Sequence, residues 1–182
     1  MEEELIKRAR AGDTAAFRQL VESYAGLTGR LAEIFLGERR AAEDVLQETW
    51  LDAWRSLGRF QPDKPFRPWI CKLVANRCRM ALRRGQFKTI PLDNLDLYAL
   101  PAVEDAAGPV LRAETRAELH EALAELSPEN RQILELRYFV GLEVTEIAAL
   151  LGLPAGTVKS RLHRSLEKLR KYLSAQKQMV RD

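Results

Sequence analysis

Cysteine and histidine are scarce in this chain of 182 residues, which has two of each. Cys71 and Cys78 are too few for a disulfide framework, and two histidines leave no evident zinc site. No run of 18 apolar residues occurs, so no segment is expected to insert in a membrane. The opening "MEEELIKRAR" is acidic and then basic, with no apolar stretch, which is not the pattern of a secretory signal. These absences point to a reduced, cytoplasmic protein. Also missing are a Gly-rich phosphate loop, a nucleophile motif and a cluster of histidines or carboxylates. Neither enzymatic activity nor a cofactor or metal is therefore expected.

What is present is globular: 46% hydrophobic and 30% charged residues, in a length that suits one medium domain or two small ones. The net charge of +3 conceals a division along the chain. Residues 1–88 hold 17 basic and 12 acidic side chains, residues 89–111 none and four, and residues 112–182 twelve and ten. Two basic modules thus flank an acidic connector.

Apolar spacing predicts helices throughout. Asp13 or Thr14 caps a segment carrying Phe17, Leu20, Tyr24, Leu31 and Ile34, with Gly37 as its stop. A second helix runs from about Glu38 to Leu57, and a third from about Phe66 to Arg84, ending at Gly85. From about residue 86 the helical period is lost, and Pro91, Pro101 and Pro109 mark a linker. Fully extended, some 25 residues reach roughly 85 Å, enough for the modules to touch DNA well apart. The second module begins near Leu111, restarts at Ser127 as N-cap with Pro128 in the first turn, and breaks at Gly141 and Gly152. The expected architecture is all-α, with two small helical domains, 1–88 and 112–182, joined by a flexible acidic linker, 89–111.

"TEIAALLGLPAGTVKSRLHRSL" reads as a short helix, a tight Gly-containing turn and a longer basic helix, the helix-turn-helix arrangement. Val158, Leu162, Leu166, Leu169 and Leu173 fall within about 80° of the helical wheel and are expected to face the core. Thr157, Lys159, Ser160, Arg161, His163 and Arg164 are left outside or on the flanks. In this motif the early residues of the second helix reach base edges in the major groove. A solvated charged face is the plain alternative. A membrane anchor fits less well, because the apolar stripe is narrow and lacks Trp or Phe.

In "AAEDVLQETWLDAWRSL", Leu46, Trp50, Ala53, Trp54 and Leu57 form one face. Asp44, Glu48 and Asp52 form a ridge nearly opposite, with Gln47 between. Like charges four apart cost a helix a few tenths of a kcal/mol per pair, so such a ridge suggests a basic partner or a merely solvated face. "PFRPWICKLVANRCRMALRR" inverts the pattern, with six basic residues and no acidic one. Arg67, Lys72, Asn76, Arg79, Arg83 and Arg84 are candidates for a nucleic-acid surface. Trp69 is either core or a stacking platform, and the preceding loop from Phe60 to Lys64 can wall a pocket for an unstacked base. Cys71 and Cys78 are most simply buried, inert thiols.

Taken together, "AEDVLQETWLDAW", "FRPWICKLVANRCRMALRR" and "LSPENRQILELRYFVGLEVTEIAALLGLPAGTVKSRLHRSLEKLRK" resemble, in that order and over nearly the whole chain, the extracytoplasmic-function (ECF) sigma factors of bacterial RNA polymerase. The resemblance implies an alternative sigma factor that binds core polymerase at its clamp coiled coil and flap and promotes strand opening in a stress or envelope-signal response. By that likeness Asp44, Gln47, Glu48 and Asp52 match the docking helix. Asn76 matches a reader of the single-stranded −10 element, and Phe60 to Lys64 match the loop that receives a flipped base. Lys159, Ser160, His163 and Arg164 match contacts to the double-stranded −35 element. The second domain is then a helix-turn-helix of winged-helix-like or four-helix form, the acidic linker occupies the RNA channel, and an anti-sigma factor is an expected partner. Val144 stands where many relatives have an aromatic, and the two cysteines are no family signature. The rival reading is a stand-alone helix-turn-helix regulator, although nothing in the chain specifies the dimer such a protein normally needs.

Overall fold

In the computed structural model, which describes residues 1–85 and 118–179, every regular element is a helix and no strand occurs among the described residues. The chain divides into two units, Met1–Ile90 and Pro91–Asp182. The expected linker, 89–111, and the domain boundaries on either side of it lie outside the described residues.

The first unit is built around helix α2 (Thr14–Leu36), which packs against α1 (Glu2–Arg10), α3 (Arg39–Ser56) and α4 (Phe66–Arg83). Asp13 is the N-cap of α2: its Oδ1 accepts from the N–H groups of Ala15 at 2.9 Å and Ala16 at 3.0 Å. Its other oxygen accepts from Arg8 of α1 at 2.6 Å, fixing the corner between the two helices. Gly37, at φ +71°, closes α2 by donating its N–H to the Glu33 carbonyl at 2.7 Å. Sequence spacing does not single out α1, whose N-terminus has no side-chain cap. Its Ile6 and Ala9 are nonetheless buried, so tertiary contact rather than capping holds it.

Aromatic rings fill the core of this unit. Phe66 is fully buried, with ring centroids 5.2 Å from Tyr24, 5.6 Å from Phe60 and 5.2 Å from Trp69. Phe17 sits 4.9 Å from Trp54 and 5.9 Å edge-on to Trp50, joining α2 to the apolar face of α3. Cys71 and Cys78 are both buried on α4, and burial pushes the Cys78 thiol up to about 12, which leaves it protonated.

The second unit comprises α5 (described over 118–124), α6 (Pro128–Tyr138), α7 (Val144–Leu151) and α8 (Ala155–Met179), a four-helix arrangement. Ser127 does occupy the N-cap position of α6, with Pro128 following, but its side chain makes no capping bond. Leu123, Leu126, Ile133, Leu136, Leu142, Ile147 and Val158 form the core. Two members of the expected α8 stripe depart from it: Leu166 is 38% exposed and Leu173 is half-buried, while Val158, Leu162 and Leu169 are buried. Leu166 falls at one edge of the stripe's arc, where the neighbouring helices no longer cover it.

Candidate functional site

Three surfaces carry the residues singled out by sequence. The first is the outer face of α3. Asp44, Gln47 and Glu48 are exposed and Asp52 is half-buried. The ridge is not left without a cation, as its sequence suggests, because α4 supplies one. Arg77 contacts Glu48 at 3.2 Å and also pairs with Asp52, while Arg55 lies 3.8 Å from Asp52. The guanidinium of Arg77 therefore offsets the repulsion between successive carboxylates and ties α3 to α4. Asp44, one turn earlier, takes no part in that cluster of ion pairs. Between the helices lies an open cleft of about 510 Å³ lined by Asp44, Gln47, Glu48, Arg77, Leu51 and Met80, among others. Leu51 is 57% and Met80 43% exposed, so apolar anchors stand beside the charges. Sequence reasoning missed both, since each lies off the apolar face of its helix. Their only signal was an apolar side chain at a position the helical period leaves outside.

The second surface is the side of α4 turned away from the core. Lys72, Asn76 and Arg83 are exposed and Arg79 is half-buried, and the spacings of four, three and four residues put them in one stripe. Arg79 donates to the Oδ1 of Asn76 at 3.2 Å, and its guanidinium carbon lies 5.6 Å from the ring centroid of Phe35. Such a cation–π contact contributes about 0.5–1 kcal/mol where solvent reaches it. Trp69 is half-buried, its ring tilted against Phe60 with centroids 5.0 Å apart, so the indole is partly core and partly open to solvent. Arg67 is half-buried and Lys64 is exposed in the loop before α4. Phe60 begins the loop, Phe60 to Lys64, that sequence reasoning offers as a wall for an unstacked base. Its ring is only 5% exposed, held between Phe66 and Trp69, and so lies beneath the surface as a support for Trp69.

The third surface is the start of α8. A capping box opens α7: the Glu146 carboxylate accepts from the Glu143 N–H at 2.7 Å, and the Glu143 side chain caps in return. Gly152, at φ +68° and ψ 33°, then turns the chain, a left-handed conformation that any side chain would strain. The Leu153 N–H donates back to Ala148 at 3.0 Å, which completes the turn. α8 starts three residues after Gly152, with Val158 fully buried against the unit's core. Lys159, Ser160, His163 and Arg164 are exposed, and Thr157 and Arg161 are half-buried on the flanks. Arg164 folds back on its own helix, donating to the Ser160 carbonyl at 3.2 Å and the Ser160 hydroxyl at 3.3 Å. His163 Nδ1 lies 3.5 Å from Glu167, an exposed pair. The polar side chains at this helix start are therefore surface groups on a rigid base, free to exchange short internal bonds for bonds to an external acceptor.

Comparison with known proteins agrees with this division. The family model described as "Sigma-70 region 2" matches residues 20–87, which take in α3 and α4, and the one described as "Sigma-70, region 4" matches residues 116–169. The RNA polymerase sigma-H factor of Pseudomonas aeruginosa is 31% identical over 180 residues, covering 94% of this chain and 93% of that one. The ECF RNA polymerase sigma factor SigL of Mycobacterium tuberculosis is 32% identical, covering 91% and 93%. Among solved structures, CnrH in complex with the cytosolic domain of CnrY superposes with a TM-score of 0.64 at 28% identity, covering 96% of this chain and 97% of that one. RpoE of Bartonella quintana, solved with the anti-sigma factor NepR, has a TM-score of 0.60 at 22% identity and shares the fold. With relatives of this likeness along nearly its whole length, the chain belongs to the extracytoplasmic-function family of RNA polymerase sigma factors.

Proposed function

We propose that this sigma factor brings core RNA polymerase to its promoters through three separate surfaces, each with its own chemistry. The exposed acids and amide of α3, Asp44, Gln47 and Glu48, together with Asp52, dock on a basic surface of the polymerase clamp. Leu51 and Met80 add apolar contact in the adjoining cleft. Lys72, Asn76, Arg79 and Arg83, with Lys64, Arg67 and Trp69 at the head of α4, hold the opened −10 strand. Phe60 buttresses Trp69 from below. Lys159, Ser160, His163 and Arg164, flanked by Thr157 and Arg161, meet the −35 duplex in the major groove. The domains take the spans 1–88 and 112–182, the segment 89–111 is the acidic tether, and the second domain also meets the polymerase flap.

The observation that carries this reading is the start of α8. A capped eight-residue helix, a left-handed glycine and a fully buried Val158 present Lys159, Ser160, His163 and Arg164 to solvent on one rigid element. The role is one of initiation: the polymerase supplies the bond-making chemistry, and this chain supplies position. It works in the cytoplasm, where polymerase and DNA are found. An anti-sigma factor is part of the same proposal, since the relative RpoE is solved with the anti-sigma factor NepR, and CnrH with the cytosolic domain of CnrY. A stress or envelope signal would act through that partner.

Two variants with different defects test the assignment. Asp44→Lys combined with Glu48→Lys is expected to lose co-purification with core polymerase while binding a −35 duplex normally. Arg164→Ala is expected to keep the polymerase and weaken −35 binding by roughly 1–3 kcal/mol, the scale of one base contact. All three tryptophans lie in the first unit, so their fluorescence checks that the charge reversals leave it folded. Polymerase binding at the wild-type level by the reversed ridge contradicts the docking role. Unchanged duplex binding by Arg164→Ala excludes that residue as a reader.

A further inference from the structure

We propose that Arg79 is a positioning residue, which sets the orientation of the Asn76 amide and so decides what kind of base edge Asn76 can read. The inference rests on the assignment of Asn76 to the −10 strand. Arg79 Nη1 donates to Asn76 Oδ1 at 3.2 Å, across three residues of α4. The same guanidinium lies over the ring of Phe35, 5.6 Å from its centroid. Phe35 belongs to the last turn of α2, a helix terminated by the left-handed Gly37, so the anchor comes from a different element of the core. The Arg79 contact therefore joins a surface amide to the body of the unit.

The chemistry of the pair fixes its polarity. A guanidinium has five donors and no acceptor, so it meets an amide favourably only at the carbonyl oxygen. With Oδ1 turned to Arg79, the Asn76 NH2 group is left facing outward with donors to offer. The unpaired base it meets is then read at an acceptor, such as a pyrimidine carbonyl or a purine ring nitrogen. Without Arg79, oxygen and NH2 present themselves with similar ease, and discrimination between acceptor and donor edges falls. Sequence alone grouped Arg79 with the other candidates for a nucleic-acid surface. The geometry adds a role through Asn76.

The test uses holoenzyme assembled from the full chain and core polymerase, with promoter opening measured on templates randomised across the −10 region. Asn76→Ala is expected to flatten base preference at one position by about tenfold, the scale of one good base contact. Arg79→Ala should flatten the same position by a similar factor, and the double variant should do no more than either. Arg83→Ala, on the same stripe, should lower opening on all sequences alike and keep the preference. In the free, isotope-labelled chain, the Asn76 side-chain NH2 resonances should show averaged motion in Arg79→Ala and in Phe35→Leu, but not in Arg83→Ala. If Arg79→Ala lowers opening uniformly with the preference intact, or leaves the Asn76 resonances unchanged, the inference is overturned. An Asn76→Ala profile equal to wild type overturns the reading of Asn76 itself, whatever the resonances show, and removes the function proposed for the contact.

Discussion

Glu135 sits in an environment that its residue type does not favour. It lies on α6 with 2% of its surface exposed, and one carboxyl oxygen has no hydrogen-bond partner. Burial pushes its carboxyl up to about 7, and Arg131, buried one turn earlier, opposes the rise. In the unfolded chain the same group titrates near 4.5. Below that value both states are protonated and the burial costs nothing electrostatically. Between about 4.5 and 7 the unfolded chain ionises first, so folding loses stability as pH rises, by up to roughly 3 kcal/mol. Glu135→Gln cannot ionise and should escape this loss. Urea unfolding of the second unit, followed at amide resonances of α6, should show the variant gaining on wild type from pH 4.5 to 8. A stability gap independent of pH would mean that the carboxyl is not held protonated. The pair is invisible in the sequence, where Arg131 and Glu135 look like an ordinary surface ion pair four residues apart. Only the packing of α6 shows that both are inside.

Among the elements, α8 shows how far a period can be read and where it stops. Its apolar spacing correctly placed Val158, Leu162 and Leu169 in the core and left Lys159, Ser160, His163 and Arg164 outside. It also predicted burial for Leu166, which is 38% exposed. A wheel gives the angle, but at the edge of the arc burial also needs a neighbouring helix that reaches that far round. Leu162→Ala should therefore cost the second unit about 2–5 kcal/mol through the cavity it leaves, whereas Leu166→Ala should cost under about 1 kcal/mol. Equal losses in thermal or denaturant unfolding would restore Leu166 to the core. The same reasoning explains the other differences. Gly37, Gly152 and Asp13 were legible because each acts on its own neighbours along the chain. Arg77 was not, because its carboxylate partners on α3 are 25 and 29 residues away, and only the α3–α4 packing brings them within reach. Nor was the burial of Phe60, which depends on rings from α4 closing over it.

For the molecule as a whole, charge is distributed by task. The candidate docking ridge is acidic, the two candidate DNA surfaces are basic, and residues 89–111 carry four acids and no base. No described helix is long and apolar enough to cross a membrane. Each candidate surface rests on a helix packed into the core of its own unit, which keeps a candidate contact residue in place before any partner arrives. As a member of the sigma-factor family the chain acts in transcription initiation together with core RNA polymerase. Run-off transcription with core RNA polymerase on a library of promoter sequences tests that claim most directly. The account predicts transcripts that appear only when this chain is added, from templates sharing a −35 and a −10 element at fixed spacing. Specific binding of the chain to duplex DNA, with no chain-dependent transcript from any template in the library, would contradict it.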